Sequence, residues 1–376
     1  MLSKWTDFTG RNLQIPLIYG NPQGRSATFT TAQTRSTTSS KLIDFLLTRV
    51  KDYSVFTIDS EVMFASQGNP GAFLSAAEVE VEGAINSLAQ SCAIAEYRDG
   101  SGSIGQVLAA PSNHATTFTI TLLNSLDIAS FEVGMDLVVW SAASGGSQRT
   151  SDGSALDFPV VAVDRDAGTL TVTGTYSGSG TMAANDYIFQ NGDRGLKLSG
   201  LEAWVPGTAP TSAAFFSVDR SADVVRLGGS RYDARGLPIE EALIEGASKV
   251  NRLGQKIDYY FVNYETYSGL ERSLGSKVIY IDHPVNTEIS FRGIRINTGR
   301  GPVDVIPDQN CQGNIAWGLN LASWRLNTLG QTIRPIENDG LTLLRLPTAD
   351  GVEGRYTMMG NLSCNAPGSN VRVLLS

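Results

Sequence analysis

The chain has 376 residues, 41% of them hydrophobic and 18% charged, with a formal net charge of −8. This length suits two or three packing units with sizeable cores. The acidic balance, without any Lys/Arg cluster longer than two, argues against a nucleic-acid reader. No apolar run reaches the roughly 18 residues of a membrane helix, and the opening MLSKWTDFTGRN has no apolar signal core. Cys92, Cys311 and Cys364 are odd in number and far apart. They read as reduced thiols of a cytosolic product rather than a disulfide framework.

Residues 1–24 are polar and punctuated by Gly10, Gly20, Pro22 and Gly24, the pattern of an extended arm that a neighbour must order. Residues 25–33 (RSATFTTAQ) read as a strand, and most of Leu42–Asp59 reads as extended. Together they predict a long hairpin, which needs something to lie on. SAAEVEVEGAINSLAQSCAIAEYRDG, from Ser75 to Gly100, predicts one long helix. Ser75 and Glu78 make a capping box, Arg98 suits the last turn, and Gly100 fits a left-handed stop. Leu74, Ala77, Val81, Ala84 or Ile85, Leu88, Cys92 and Ala95 form its apolar stripe. Glu78, Glu82, Asn86 and Gln90 line another face.

Five short strands follow, at Thr117–Leu122, Asp136–Trp140, Pro159–Val163, Thr169–Thr173 and Asp186–Gln190, separated by turn-rich pieces. They predict a small barrel or sandwich over residues 106–198. Pro238 at N1, Glu240 and Glu241 in the first turn, and Gly254 as the stop mark a second helix. A strand at Ile257–Val262, a helix Tyr264–Leu274 capped by Asn263, and a strand at Lys277–Ile281 complete an α/β run. Further strands are expected at Glu288–Asn297, Val303–Ile306, Ile315–Leu321, Leu341–Leu346, Arg355–Leu362 and Asn370–Leu375.

No catalytic constellation emerges. His114 and His283 stand alone, without metal-ligand spacing or a Gly-x-Ser-x-Gly elbow for a hydrolytic triad. Gly102 and Gly105 follow a helix rather than a strand, so they read as a turn and not a dinucleotide fingerprint. Asp164, Asp166 and Gly168 fit a hairpin turn better than a calcium loop, which lacks its downstream Glu. Asn361-Leu-Ser363 matches a glycosylation acceptor only by coincidence in a chain with no secretory signal. Cys92 falls on the apolar stripe and reads as core. An acidic, ordered chain with an arm, a hairpin and a long helix but no active site suits a protein whose product is an assembly.

Three stretches carry a family resemblance. They are the long helix ending in Asp99-Gly100-Ser101-Gly102-Ser103-Ile104-Gly105; residues 201–278, with LEAWVP, FFSVDRSAD, RYDARGLPIEEALIEGA and LGSKV; and VIPDQNC at 305–311 with GLTLLRLPTADGVEGRYTMMGNLSCNAPG. The chain resembles the major capsid proteins of tailed bacteriophages, of the Hong Kong 97-like fold. The resemblance implies an α+β fold: an N-terminal arm (1–24), an extended loop (25–70), and a peripheral domain (71–105 and 311–376) containing the long helix as its spine. It also implies an axial domain (199–310), with residues 106–198 as a β-barrel-like insertion that the family's type member lacks. The implied function is non-enzymatic, without catalytic, cofactor or metal residues. Pentamers and hexamers would form an icosahedral shell around double-stranded DNA, in a virion assembled in the host bacterial cytoplasm. Only 74 residues precede the spine, leaving no room for a fused scaffold, so a separate scaffolding protein is implied. A portal and a decoration protein complete the expected partners, with no membrane and no sequence-specific DNA binding. Some relatives cross-link neighbouring subunits through Lys and Asn side chains, a property the resemblance assigns to no residue of this sequence. The rival readings are a β-rich surface binding module and a hydrolase; the missing signal and the missing catalytic spacing count against them.

Overall fold

The computed structural model of the protein describes residues 3–5, 8, 10–37, 39–61, 70–111, 116–151, 154–155, 157–174, 182–274, 294–337, 340–347 and 349–375. The strand expected at Lys277–Ile281, most of that at Glu288–Asn297, and both histidines lie outside these residues.

The spine helix runs Pro70–Tyr97. It begins five residues before the expected Ser75 cap, which therefore lies in its interior; proline is at ease in a first turn, where its missing N–H has no helical partner to lose. Its end is as expected, with Gly100 at φ +84°. Ala84, Leu88, Ile94, Ala95 and Tyr97 are buried, while Glu78, Glu82 and Asn86 face solvent.

The hairpin is built differently from the expectation. Its strands are Asn12–Gly20 and Lys41–Thr48, paired antiparallel with Ile15 opposite Phe45. Residues 12–20, expected in the arm, thus form half of it. Residues 25–33 hold no strand; Phe29–Thr34 is a short helix near the hairpin's end. There the Ser and Thr side chains bond locally, Thr28 Oγ1 to Thr31 Oγ1 at 2.8 Å and Ser36 Oγ to the Gln33 carbonyl at 2.7 Å, which favours a turn over a ladder.

Strand Val50–Asp59 leaves the hairpin and pairs antiparallel with Gly351–Gly360 of the long strand Gly351–Cys364. Trp324–Thr328, Arg334–Pro335 and Leu343–Arg345 flank that strand, and Ser3–Trp5 pairs with Trp324–Thr328. Phe56 and Ile58 on this sheet bury against Ala84 of the spine.

The expected β-rich region forms a separate module. Its six strands run in the spatial order Ser103–Gln106, Tyr187–Gln190, Asp136–Trp140, Phe158–Asp164, Thr169–Thr173, Thr117–Thr121. Ser103–Gln106, expected as a turn, is a strand; Gly105 lets the Phe131 ring approach the backbone. The sheet curls until its edges meet just beyond the outer strands. There the Leu108 N–H donates to the Thr121 carbonyl at 2.9 Å, and the Leu123 N–H to that of Gln106 at 2.8 Å. Phe118, Ile120, Phe131, Val139, Phe158 and Ile188 belong to a core of its own. Asp164 caps the expected tight turn, accepting from the N–H groups of Asp166 and Ala167, with Gly168 at φ +65°. Entry and exit lie side by side, with Ser103 opposite Phe189.

The third unit is a mixed sheet in the order Ser230–Asp233, Val371–Leu374, Ile315–Leu319, Tyr259–Val262, Gly301–Pro307, Ile294–Thr298. Helices Ile239–Arg252 and Tyr264–Leu274 flank it. Pro238 stands just outside the first helix, as its N-cap rather than N1. Asn263 caps the second as expected, its Oδ1 accepting from the Glu265 N–H at 3.1 Å. Strands Ile315–Leu319 and Val371–Leu374 correct the grouping of residues 311–376 with the spine. The alternating Val371 and Val373 are fully buried in the α/β core, and Gly246 leaves room for Val373.

Candidate assembly surfaces

Among the described residues, no group of three or more His, Cys, Asp or Glu side chains could hold a metal ion. Burial, reinforced by Asp52, pushes the Cys92 thiol up to about 12, and burial raises Cys311 and Cys364 as well, so none is poised as a thiolate. Asn361 is a buried structural link. Its Nδ2 donates to the Thr48 carbonyl at 2.9 Å, and its Oδ1 accepts from the Ser199 N–H at 2.9 Å.

The hairpin has two unlike faces. Ile15, Leu17, Phe45 and Leu47 are buried against the chain's own body. Phe45 meets Trp204 at 5.1 Å and Phe215 at 6.3 Å between ring centroids. Beneath them, Phe216 and Ser217 adopt left-handed backbone, φ +45° and +69°, in the turn that closes Phe215 on Val218. Two non-glycine residues in this region cost about 1–2 kcal/mol each, and the turn persists because it lays both Phe rings against Trp204. No local signal in the sequence marks this seat. On the opposite face, Ile18 and Leu42 are cross-strand partners and are 63% and 62% exposed; Phe29 at the end is 80% exposed. The hairpin is also basic: between residues 10 and 51, Arg11, Arg25, Arg35, Lys41, Arg49 and Lys51 stand against a single acid, Asp44. The spine's early turns present the opposite character, with exposed Glu78, Glu80 and Glu82 around exposed Val79.

A buried polar joint ties the spine, the sheet and the module's exit. Lys197 Nζ donates to Asp52 Oδ2 at 2.6 Å and Ser91 Oγ at 2.7 Å, and lies 3.0 Å from Asp193 Oδ2. Burial pulls the Lys197 ammonium down, but the two carboxylates more than offset this, so its pKa rises. Asp193 is raised by burial, with Lys197 drawing it only partly back. Beside the joint, a cavity of about 370 Å³ separates the spine from the module. Deeper in, Gln312 joins Glu202 at 3.0 Å to the Trp317 indole N–H at 3.2 Å. On the spine, burial and then Asp308 push Glu96 up to about 7.

No family model matches the sequence, and no curated protein matches it. Solved structures do match. The cyanophage A-1(L) capsid asymmetric unit aligns over 99% of this chain and 89% of that chain, with a TM-score of 0.50 at 9% identity. A chain from Gordonia phage Cozz aligns over 100% and 84%, with a TM-score of 0.47 at 11% identity. A chain from the phage G gp27 major capsid and gp26 decoration proteins aligns over 98% and 86%, at 0.40 and 8%. At such identities what is shared is the fold, and the alignment with the cyanophage chain spans nearly all of it. The architecture is that of a phage capsid protein. The chain has the Hong Kong 97-like fold, as the motifs at the spine's end and in residues 201–278 and 305–368 imply.

Proposed function

We propose that this chain is the major capsid protein of a tailed phage, which assembles as pentamers and hexamers into an icosahedral shell around double-stranded DNA. The observation that carries this reading is a capsid fold over the full chain, joined to a hairpin with one face seated on its own core and Ile18 and Leu42 exposed on the other. Individually weak contacts of this kind close a shell when many act together. In this reading the hairpin is the extended loop, the spine and its sheet form the peripheral domain, and the α/β unit forms the axial domain. The β-module is an insertion that faces outward. Its charge supports that side: residues 103–195 hold nine acids against three arginines, −6 of the chain's −8. The three arginines are engaged by the module's own groups. Arg149 pairs bidentately with Asp186, Arg165 bonds the Ile128 and Phe131 carbonyls, and Arg194 stacks on Trp140 at 3.8 Å. An acidic face is repelled by packaged DNA. A separate scaffolding protein, a portal and a decoration protein on the module are the partners of this reading, with DNA enclosed without sequence reading.

Electron microscopy of the purified protein, alone and co-expressed with the scaffolding protein of its source, should show closed shells. Ile18→Glu with Leu42→Lys should leave a folded chain that forms none. Wild-type protein that stays monomeric in both preparations, or shells unchanged by the double substitution, would refute the reading.

A further inference from the structure

Besides the Lys197 joint and the bond from Arg98 to the Ile104 carbonyl, the β-module meets the rest of the chain through one short turn. Residues Ser125–Ser130 form a 3-10 turn capped by Asn124, whose Oδ1 accepts from the Leu126 N–H at 3.3 Å. Ile128 and Ser130 are buried in the module, and the exposed Arg165 donates to the Ile128 and Phe131 carbonyls at 3.4 and 3.3 Å, so the turn is tied to the module. Its remaining residues reach outward to two different units. Asp127 accepts from Arg98 Nη2 at 2.9 Å, with both side chains largely buried, and the Ala129 carbonyl accepts from Gln90 Nε2 at 3.3 Å. Gln90 and Arg98 lie about 12 Å apart along the spine, so this end of the helix is gripped at two points. Leu126 points the other way, onto Gly313 of the α/β unit. A Cβ at Gly313 would lie 2.3 Å from Leu126 Cδ1, so Leu126 in this position requires glycine there and must shift for any larger residue. The Gly313 notch is itself anchored, its carbonyl accepting from Thr266 Oγ1 at 2.7 Å. Open space flanks the turn on both sides: the 370 Å³ cavity toward the spine and a cleft of about 880 Å³ toward the α/β unit.

The spine and the α/β unit also meet directly, in the core that contains Ala95, Trp204 and Trp317. The turn spans the same two units beside that core, whose Tyr97 adjoins Arg98 and whose Cys311 and Ile315 flank Gly313. We propose that Ser125–Ser130 is an internal brace, which locks the spine helix against the α/β unit and so sets the angle between them. The brace is a property of the single chain. Its consequence, that this angle sets the curvature and hence the diameter of a shell, rests on the capsid reading.

The test is a knob-and-notch exchange in the full-length soluble chain, read by amide hydrogen exchange. Gly313→Ala should expel Leu126 and speed exchange about tenfold in segments 124–131, 87–98 and 308–316, with strand 371–374 unchanged. Adding Leu126→Ala should return these rates most of the way, because an Ala–Ala pair refills the contact. Asp127→Asn, which keeps size and polarity, should loosen 87–98 and 124–131 and guards against a folding failure of Gly313→Ala. Where shells form, Gly313→Ala should broaden their diameters and the double variant should narrow them again. Unchanged exchange in both Gly313→Ala and Asp127→Asn would overturn the brace. So would a Gly313→Ala effect that Leu126→Ala does not relieve. Absence of shells from the wild type would count against the capsid reading alone, leaving the exchange result to decide the brace.

Discussion

Replacing Lys197 by Met tests the buried joint most directly. Met keeps the aliphatic volume and removes the ammonium that lies within 3.0 Å of Asp52 Oδ2, Ser91 Oγ and Asp193 Oδ2. Lys197, Asp52 and Asp193 are 12%, 17% and 22% exposed, so water can replace only part of what is lost. Two carboxylates would then face each other with no cation between them. Breaking a buried pair in this way costs about 3–5 kcal/mol, and partial exposure of the acids places the expected loss near the lower bound. The loss carries a pH signature. Asp193 already has a folded pKa above its ordinary value, and removing Lys197 raises it further. A group with a raised folded pKa contributes stability below its unfolded value and loses it as pH rises through the folded value. The Lys197→Met deficit should therefore shrink as pH falls from 8 to 5, as one carboxyl takes up a proton. Urea unfolding of the unassembled chain across that range, with wild type alongside, measures the difference; Lys197→Arg should restore much of the stability at every pH. A deficit that is absent, or constant from pH 5 to 8, would refute the assignment of this cluster as a charge-held joint.

Glu96, raised to about 7 by burial and then by Asp308, loses its favourable protonated form as pH rises through that value. Glu96→Gln should therefore raise stability at pH 8 by about 1–2 kcal/mol and change little at pH 5, as thermal melts at the two pH values would show. Two glycines should respond oppositely to alanine. Gly200→Ala places a Cβ 2.3 Å from the Ala95 and Glu96 carbonyl oxygens, whereas Gly83 in the spine meets nothing within 4 Å. The first should cost more than about 3 kcal/mol or yield no soluble chain, and the second should gain about 0.5–1 kcal/mol, both read by denaturant midpoints. All three thiols should alkylate far more slowly in native protein at pH 7.5 than in urea, Cys92 included, since burial raises each of them; mass spectrometry of timed quenches checks this.

The sequence by itself determined those elements whose signals lie within a few residues of one another. Strands Asp136–Trp140 and Thr169–Thr173 occur with the bounds their β-branched and aromatic runs between turns indicate, and the Asp164 turn joins strands as its residue types require. The helix Ile239–Arg252 follows its periodicity, and the Asn263 cap and the Gly100 stop stand where they were read. The capsid fold was legible as well, through motifs spread over about half the chain. Tertiary structure alone decided partners distant in sequence. Asn12–Gly20 alternates Leu13, Ile15, Leu17 and Tyr19, but the glycines and prolines around it suit an arm equally, and only Lys41–Thr48 supplies the ladder that makes it a strand. The threonine-rich 25–33 reads as a strand because composition does not show that side chains will bond its backbone locally, as Ser26 Oγ does by accepting from the Thr28 N–H and Thr34 Oγ1 by donating to the Thr30 carbonyl. Strand Trp324–Thr328 was not read at all, and Val371–Leu374 joins the α/β sheet only through pairing with Ser230–Asp233 and Ile315–Leu319. The functional surfaces belong to the same class. The Lys197 joint gathers residues 52, 91, 193 and 197, and the brace joins Leu126 to Gly313; neither leaves a local pattern. Periodicity and capping act along the chain, whereas burial of charge and the fit of a side chain into a notch depend on what folding brings across it.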